Sequence, residues 1–322
     1  MKKALLFATV LAFALTGTVF ADEEAAVAEG EVTTEAAAAE EEVTTEAAVA
    51  EEEVAAEETE APATDESADE ATEEEVEEMA GEELIIESGD KSIYGVIYKP
   101  EEANGTLIIM SHGYNGTHND WVQEGTTFAG KGYTAYAYDF CGGSVNSQSS
   151  GKSTEMTINT EKQDLLDVVD YFKSSGEFEK IFLLGGSQGG FVSSLVAAEL
   201  KDEIGALAMY FPALCVPDDW KNNYPDPSEA PDTFDFWGMD LSREFVEDVQ
   251  QIDVYGTIGD YKGDVLIIHG DEDPIVPYEY SERAAETYEH AELIKMEGEG
   301  HGWSPEAWPK AIEMVLEFFE AH

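Results

Sequence analysis

The sequence Gly185-Gly-Ser187-Gln-Gly189 stands directly after the apolar run Ile181–Leu184 and directly before an apolar-periodic stretch that runs to Leu200. A serine between glycines at a strand-to-helix turn fits a nucleophile elbow. The sharp turn strains the serine backbone, demands small residues two before and two after it, and lifts the hydroxyl to the helix N-terminus. A serine hydroxyl is a poor nucleophile at neutral pH, so the chemistry needs a base and a carboxylate to orient it, supplied on such a scaffold in the order Ser, acid, His. His269-Gly-Asp271-Glu-Asp273-Pro-Ile-Val-Pro277 and Gly300-His301-Gly302 follow in that order.

Of six histidines, His112 and His269 stand at expected strand ends beside glycine, His118 in a loop, His290 in a turn, and His322 at position 322. His301 alone comes after both the serine and the acids in a Gly-flanked loop, which makes it the expected base. Asp273 is preferred to Asp271 as the acid because the Pro-Ile-Val-Pro that follows would stiffen its loop. A tetrahedral intermediate also needs two backbone N–H donors for its oxyanion. The amide of Gln188, next to the serine, is one candidate; the other is Tyr114, in Ser111-His112-Gly113-Tyr114-Asn115-Gly116 after an expected strand.

These loops need a scaffold, and the sequence from Leu84 onward supplies an α/β pattern in which short apolar runs alternate with helical periodicity. An opening hairpin is expected at 84–87 and 93–98, buried strands at 106–111, 133–139, 180–184, 206–211 and 265–269, and a last strand at 292–296. Helices are expected at 161–172, 189–200, 278–288 and 305–319. Residues 213–263 break the rhythm with Trp220, Tyr224, Phe234, Phe236, Trp237 and Phe245 between prolines, and read as a cap inserted at about 214–262.

The chain has 322 residues and a formal net charge of −55. From Asp22 to Glu83 it carries 27 acidic residues and no basic one, and EVTTEAA occurs at Glu31 to Ala37 and again at Glu42 to Ala48. Such a segment buries too little apolar surface to offset its ordering entropy, so an acidic, extended, disordered stalk is expected. Lys2, Lys3, an apolar run from Ala4 to Phe20, and small residues at Val19 and Ala21 read as a secretory signal over residues 1–21. A secreted or extracytoplasmic protein follows, with no membrane span in the mature chain. The remaining charge on residues 84–322 is about −30, which excludes a nucleic-acid binder.

The segments His112-Gly-Tyr-Asn-Gly116, Tyr138-Asp-Phe-Cys-Gly-Gly-Ser144, Gly185-Gly-Ser-Gln-Gly-Gly190, His269-Gly-Asp-Glu-Asp-Pro-Ile-Val-Pro277 and Gly300-His301 together resemble the α/β-hydrolase superfamily. Within it they resemble the cinnamoyl and feruloyl esterase-like branch, which borders serine aminopeptidase-like and monoacylglycerol lipase-like hydrolases. The resemblance covers about residues 84–322. It implies a mostly parallel eight-stranded sheet with helices on both faces and a small cap, a Ser187–His301–Asp273 triad, and hydrolysis of a small-molecule carboxylic ester through an acyl-enzyme. No cofactor is implied, and no His, Cys and carboxylate grouping has metal-site spacing.

Two rivals remain at this stage: an exopeptidase that holds an ammonium group with a cap carboxylate, and a non-enzymatic binding module, which the presence of all three triad candidates disfavours. Cys141 and Cys215 follow strands expected to lie three sheet positions apart, too far for a disulfide. Two free thiols are expected.

Overall fold

A computed structural model describes residues 81–322. The expected signal at 1–21 and nearly all of the expected stalk lie outside the described residues. The chain forms β1 (Glu82–Ser88), β2 (Lys91–Tyr98), β3 (Thr106–Ser111), α1 (Val122–Gly130), β4 (Thr134–Tyr138), α2 (Ile158–Ser175), β5 (Lys180–Gly186), α3 (Gln188–Leu200) and β6 (Ala206–Tyr210). It continues through α4 (Val216–Asn223), β7 (Thr233–Phe236), β8 (Met239–Ser242), α5 (Arg243–Val249), α6 (Val254–Ile258), β9 (Asp264–Gly270), α7 (Glu279–Thr287), β10 (Ala291–Met296) and α8 (Trp308–Glu320). Glu82 and Glu83, grouped with the acidic segment by composition, pair instead with Ile97 and Val96 in the opening hairpin.

Eight strands make one sheet in the order β1-β2-β4-β3-β5-β6-β9-β10, antiparallel only where β2 meets its neighbours. The central strands are apolar on both faces because both faces are covered. Leu107, Ile109, Leu183, Leu207, Met209, Val265 and Ile267 pack toward α2, α3 and the cap. The alternate residues Ile108, Met110, Phe182, Leu184, Ala208, Leu266 and Ile268 pack with residues of α1 and α8. Helix α3 is buried all round from Gln188 to Ala198, which fixes the position of the residue that precedes it. The sequence pattern did not announce α1: Val-Gln-Glu-Gly-Thr-Thr-Phe-Ala-Gly has weak helix propensity, and burial of Phe128 and Ala129 against the sheet supplies what propensity does not.

Between β6 and β9 the chain builds the cap from α4, the β7–β8 hairpin, α5 and α6. Trp220 is its hub, with ring centroids of Phe236, Phe234, Phe245 and Tyr224 between 5.0 and 6.1 Å away. Asp248 ties the cap to the start of α2 by accepting hydrogen bonds from the Asn159 side chain (2.6 Å) and amide (3.1 Å). Cys141 and Cys215 follow β4 and β6, three positions apart in the sheet, and both are free. Among the described residues no helix is long and apolar enough to cross a membrane.

Candidate active site

Ser187 occupies the turn between β5 and α3 with φ 52° and ψ −119°, a region that an L side chain enters only when its surroundings hold it there. Three backbone bonds do so: its amide donates to Tyr210 O (2.9 Å), and its carbonyl accepts from Phe191 N (3.1 Å) and Ala213 N (2.9 Å). Side chains at the flanking glycines would collide. A Cβ on Gly185 would stand 2.4 Å from Gly189 O, and one on Gly189 would stand 2.1 Å from Ser111 O.

Ser187 Oγ lies 2.9 Å from His301 Nε2, and His301 Nδ1 lies 2.7 Å from Asp273 Oδ2. The structure thus brings the three sequence-expected residues into one row. His301 sits on the loop after β10, its ring 4.7 Å from that of Phe211, with a 15% exposed side chain; the side chain of Asp273, on the loop after β9, is fully buried. The two loops are laced by Asp271 N to Met296 O (3.2 Å) and Glu272 N to Glu299 O (3.0 Å). Asp271 points elsewhere: its Oδ1 accepts the Gly298 amide at 2.7 Å, on an exposed turn. Burial by itself would raise the Asp273 carboxyl. Hydrogen bonds from His269 and His301, and from the amides of Ile275 and Val276 to Oδ1, outweigh it and hold that carboxyl far below the usual carboxylate range.

The loop after β3 lies against the serine. The position a Cβ would take on Gly113 is 3.1 Å from Ser187 Cβ, so the chain passes Ser187 at backbone distance. The amides of Tyr114 and Gln188 have no hydrogen-bond partner among the described residues, leaving both able to donate to a substrate oxygen. His112 anchors this loop from below. It is buried, which lowers its pKa, and its Nδ1–H donates to Gly113 O (2.7 Å) while Nε2 accepts from Phe140 N (3.0 Å).

Two features escaped the sequence reading. His118, expected in a loop, opens a short 3-10 turn (His118–Trp121) and is buried. Its amide and Nδ1 meet Asp139 Oδ1 at 2.8 and 2.7 Å, while Asp139 Oδ2 accepts Gln148 N at 2.7 Å, so the pair joins the loops after β3 and β4. The Tyr114 side chain also has a task beyond its amide: its hydroxyl donates to Phe236 O at 2.7 Å and ties the cap hairpin to the loop beside Ser187. At the tip of that hairpin Trp237 and Gly238 both have positive φ, 49° and 81°, as a two-residue type I′ turn requires. Trp237 is 62% exposed and stacks on Phe236 at 4.8 Å.

A model of the alpha/beta hydrolase fold matches residues 106–250, and one described as TAP-like protein matches residues 243–321. The chain is an α/β-hydrolase. Est1E from Butyrivibrio proteoclasticus with ferulic acid bound superposes on this hydrolase with a TM-score of 0.67 at 28% identity, over 73% of this chain and 98% of that one. Another structure of Est1E gives 0.66 at 27%, over 74% and 98%. A monoacylglycerol lipase from Paleococcus ferrophilus, at 19% identity and a TM-score of 0.56 over 70% and 97% of the two chains, shares the fold. By sequence, no curated protein matches this hydrolase.

Proposed function

We propose that this hydrolase cleaves a small carboxylic ester through an acyl-enzyme formed on Ser187. The observation that carries the reading is the continuous row from Ser187 Oγ to His301 Nε2 (2.9 Å) and from His301 Nδ1 to Asp273 Oδ2 (2.7 Å), beneath an aromatic cap. Ser187 Oγ attacks the ester carbonyl as His301 takes its proton; Asp273 holds the imidazole orientation and stabilises its charged form. The Tyr114 and Gln188 amides receive the oxyanion. His301 then protonates the departing alcohol, and water repeats the sequence on the acyl-enzyme to release the acid.

Feruloyl, cinnamoyl and short acyl esters are the favoured substrates, supported by the ferulic-acid complex of the similar Est1E and by the exposed aromatic face of Trp237 beside Tyr114. The apolar run at residues 4–20 supports secretion, with the signal removed after Ala21 and residues 22–80 serving as a solvated acidic stalk. The test is a panel of methyl ferulate, short p-nitrophenyl esters, a monoacylglycerol and an aminoacyl anilide, assayed on the wild type and on Ser187→Ala. Ester turnover that the substitution abolishes supports the reading. Turnover of the anilide alone would make the protein an exopeptidase, and turnover that survives Ser187→Ala would place the chemistry elsewhere.

A further inference from the structure

Glu161 stands on the buried face of α2, one turn before Leu165 and in line with Val168 and Phe172, and is 1% exposed. A carboxyl so placed is costly unless something holds it. Lys91 does not: it pairs with Asp164 and Asp167 on the same helix. The partner is Gln188, whose Nε2 donates to Glu161 Oε2 at 2.8 Å, and Gln188 is the residue immediately after Ser187. The other oxygen, Oε1, has no hydrogen-bond partner among the described residues. It lies 3.2 Å from the position a Cβ would take on Gly143, and His112 Cε1 lies 3.4 Å from that same position. One buried carboxyl therefore holds the Gln188 side chain on one side and lies against the Gly143 turn on the other, a turn that also lies against His112 at the foot of the loop that carries Tyr114.

We propose that Glu161 is a positioning residue for the oxyanion hole, gripping the Gln188 side chain and bracing the Gly143 turn and His112, so that the Gln188 and Tyr114 amides keep their spacing. The inference rests on the esterase reading above. It adds a condition that the triad geometry does not contain, namely that Glu161 be uncharged while the oxyanion forms. Burial pushes its carboxyl up to about 8, with nearby Asp164 adding to the rise and the Gln188 hydrogen bond opposing it. An anion at this place would sit behind the two amides and oppose the negative charge developing in front of them.

The other ionisable groups facing it are fixed over the same range. Tyr138 from β4 and Tyr114 from the oxyanion loop are raised by burial, His112 is lowered by burial, and Asp164 is paired with Lys91. Glu161 is the member of this group that changes charge just above neutrality.

The experiment is the pH dependence of kcat and KM on p-nitrophenyl butyrate for wild type, Glu161→Gln and Glu161→Ala, together with the rate of Ser187 labelling by a fluorophosphonate. In the wild type, kcat should fall as pH rises through about 8 with KM nearly flat. Glu161→Gln, which keeps an uncharged hydrogen-bonding group, should lose that alkaline decline. Glu161→Ala should lower neutral-pH kcat by about 10- to 100-fold, the scale expected for a small displacement of catalytic groups, and Glu161→Gln should recover most of that loss. The wild-type minus Glu161→Gln infrared difference spectrum at pH 7 should contain a protonated-carboxyl band, the contribution of Glu124 cancelling because it is common to both, which reads the Glu161 proton without reference to activity.

An unchanged alkaline decline in Glu161→Gln overturns the inference, and so does wild-type kcat in Glu161→Ala. If Glu161→Ala fails to fold, the Glu161→Gln profile and the infrared band decide. A wild type that neither turns over esters nor takes the label at Ser187 would instead sink the esterase reading itself.

Discussion

His269 and His301 approach the same oxygen: Asp273 Oδ2 is 3.0 Å from His269 Nε2 and 2.7 Å from His301 Nδ1. His269 is fully buried, and its other nitrogen faces Ser281 Oγ at 2.7 Å. With Ser281 donating to Nδ1, the His269 Nε2–H is left to donate to Asp273 and, at 3.1 Å, to Val276 O. The carboxylate is thus pinned from behind by one imidazole while it faces another.

This pinning predicts a graded series. Ser187→Ala and His301→Ala should each lower kcat by about 10⁶-fold, and the double variant should be no worse, because the residues act as a unit. Asp273→Asn should cost about 10⁴-fold by offering the wrong hydrogen-bonding pattern to His301. His269→Ala, which leaves Asp273 less well held, should cost about 10- to 100-fold, the range for a displaced catalytic group. Asp271→Asn should stay close to wild type. A larger loss at Asp271 than at Asp273, read in kcat/KM, would reverse the assignment of the acid.

Tyr114→Phe deletes the hydrogen bond to Phe236 O but keeps the ring and the backbone amide. One neutral hydrogen bond contributes about 1 kcal/mol, so the cap hairpin should loosen without unfolding the domain. KM for methyl ferulate should rise several-fold while kcat on p-nitrophenyl acetate changes little. A loss of kcat on both esters with KM unchanged would mean that the hydroxyl serves the chemistry and not the cap.

Glu124 on α1 is fully buried beneath α8, where its Oε1 accepts from Trp308 Nε1 at 2.8 Å and its Oε2 has no partner among the described residues. Burial pushes its carboxyl up to about 7 from an ordinary 4.5. A folded-state value above the unfolded one means the folded protein holds a proton that the unfolded chain has released, so stability falls as pH rises from about 4.5 to about 7. Glu124→Gln should remove that slope: its melting temperature relative to the wild type should climb between pH 5 and pH 8, as differential scanning calorimetry would read. A difference that stays constant with pH would show that Glu124 is charged in the folded state.

The charge on residues 84–322, about −30, should slow the approach of anionic esters and leave neutral ones alone. The Debye length falls from about 30 Å at ~0.01 M ionic strength to about 8 Å at ~0.15 M. The ratio of kcat/KM for a neutral to a carboxylate-bearing ester should therefore shrink as salt is added. If it does not move, the acids lie away from the mouth of the site, or Lys221 and Arg243 offset them there.

The order Ser187, Asp273, His301 and the Gly185/Gly189 spacing could be read from the chain because an elbow tolerates so few residue types. The strands were legible because strands covered on both faces must be apolar at nearly every position, as β3, β4 and β6 are. The choice between Asp271 and Asp273 had only a proline argument behind it in sequence; the fold separates them by burying one and turning the other to Gly298. Glu161 left a trace, an acid at helical spacing from Leu165, Val168 and Phe172, yet only packing reveals that its partner is the residue after Ser187. His269, His118 and the Tyr114 hydroxyl left none. Their partners are Asp273 across a turn, Asp139 just past the end of β4 and a carbonyl 122 positions away, and such contacts come into being only when the sheet order and the cap bring these loops to one end of the molecule.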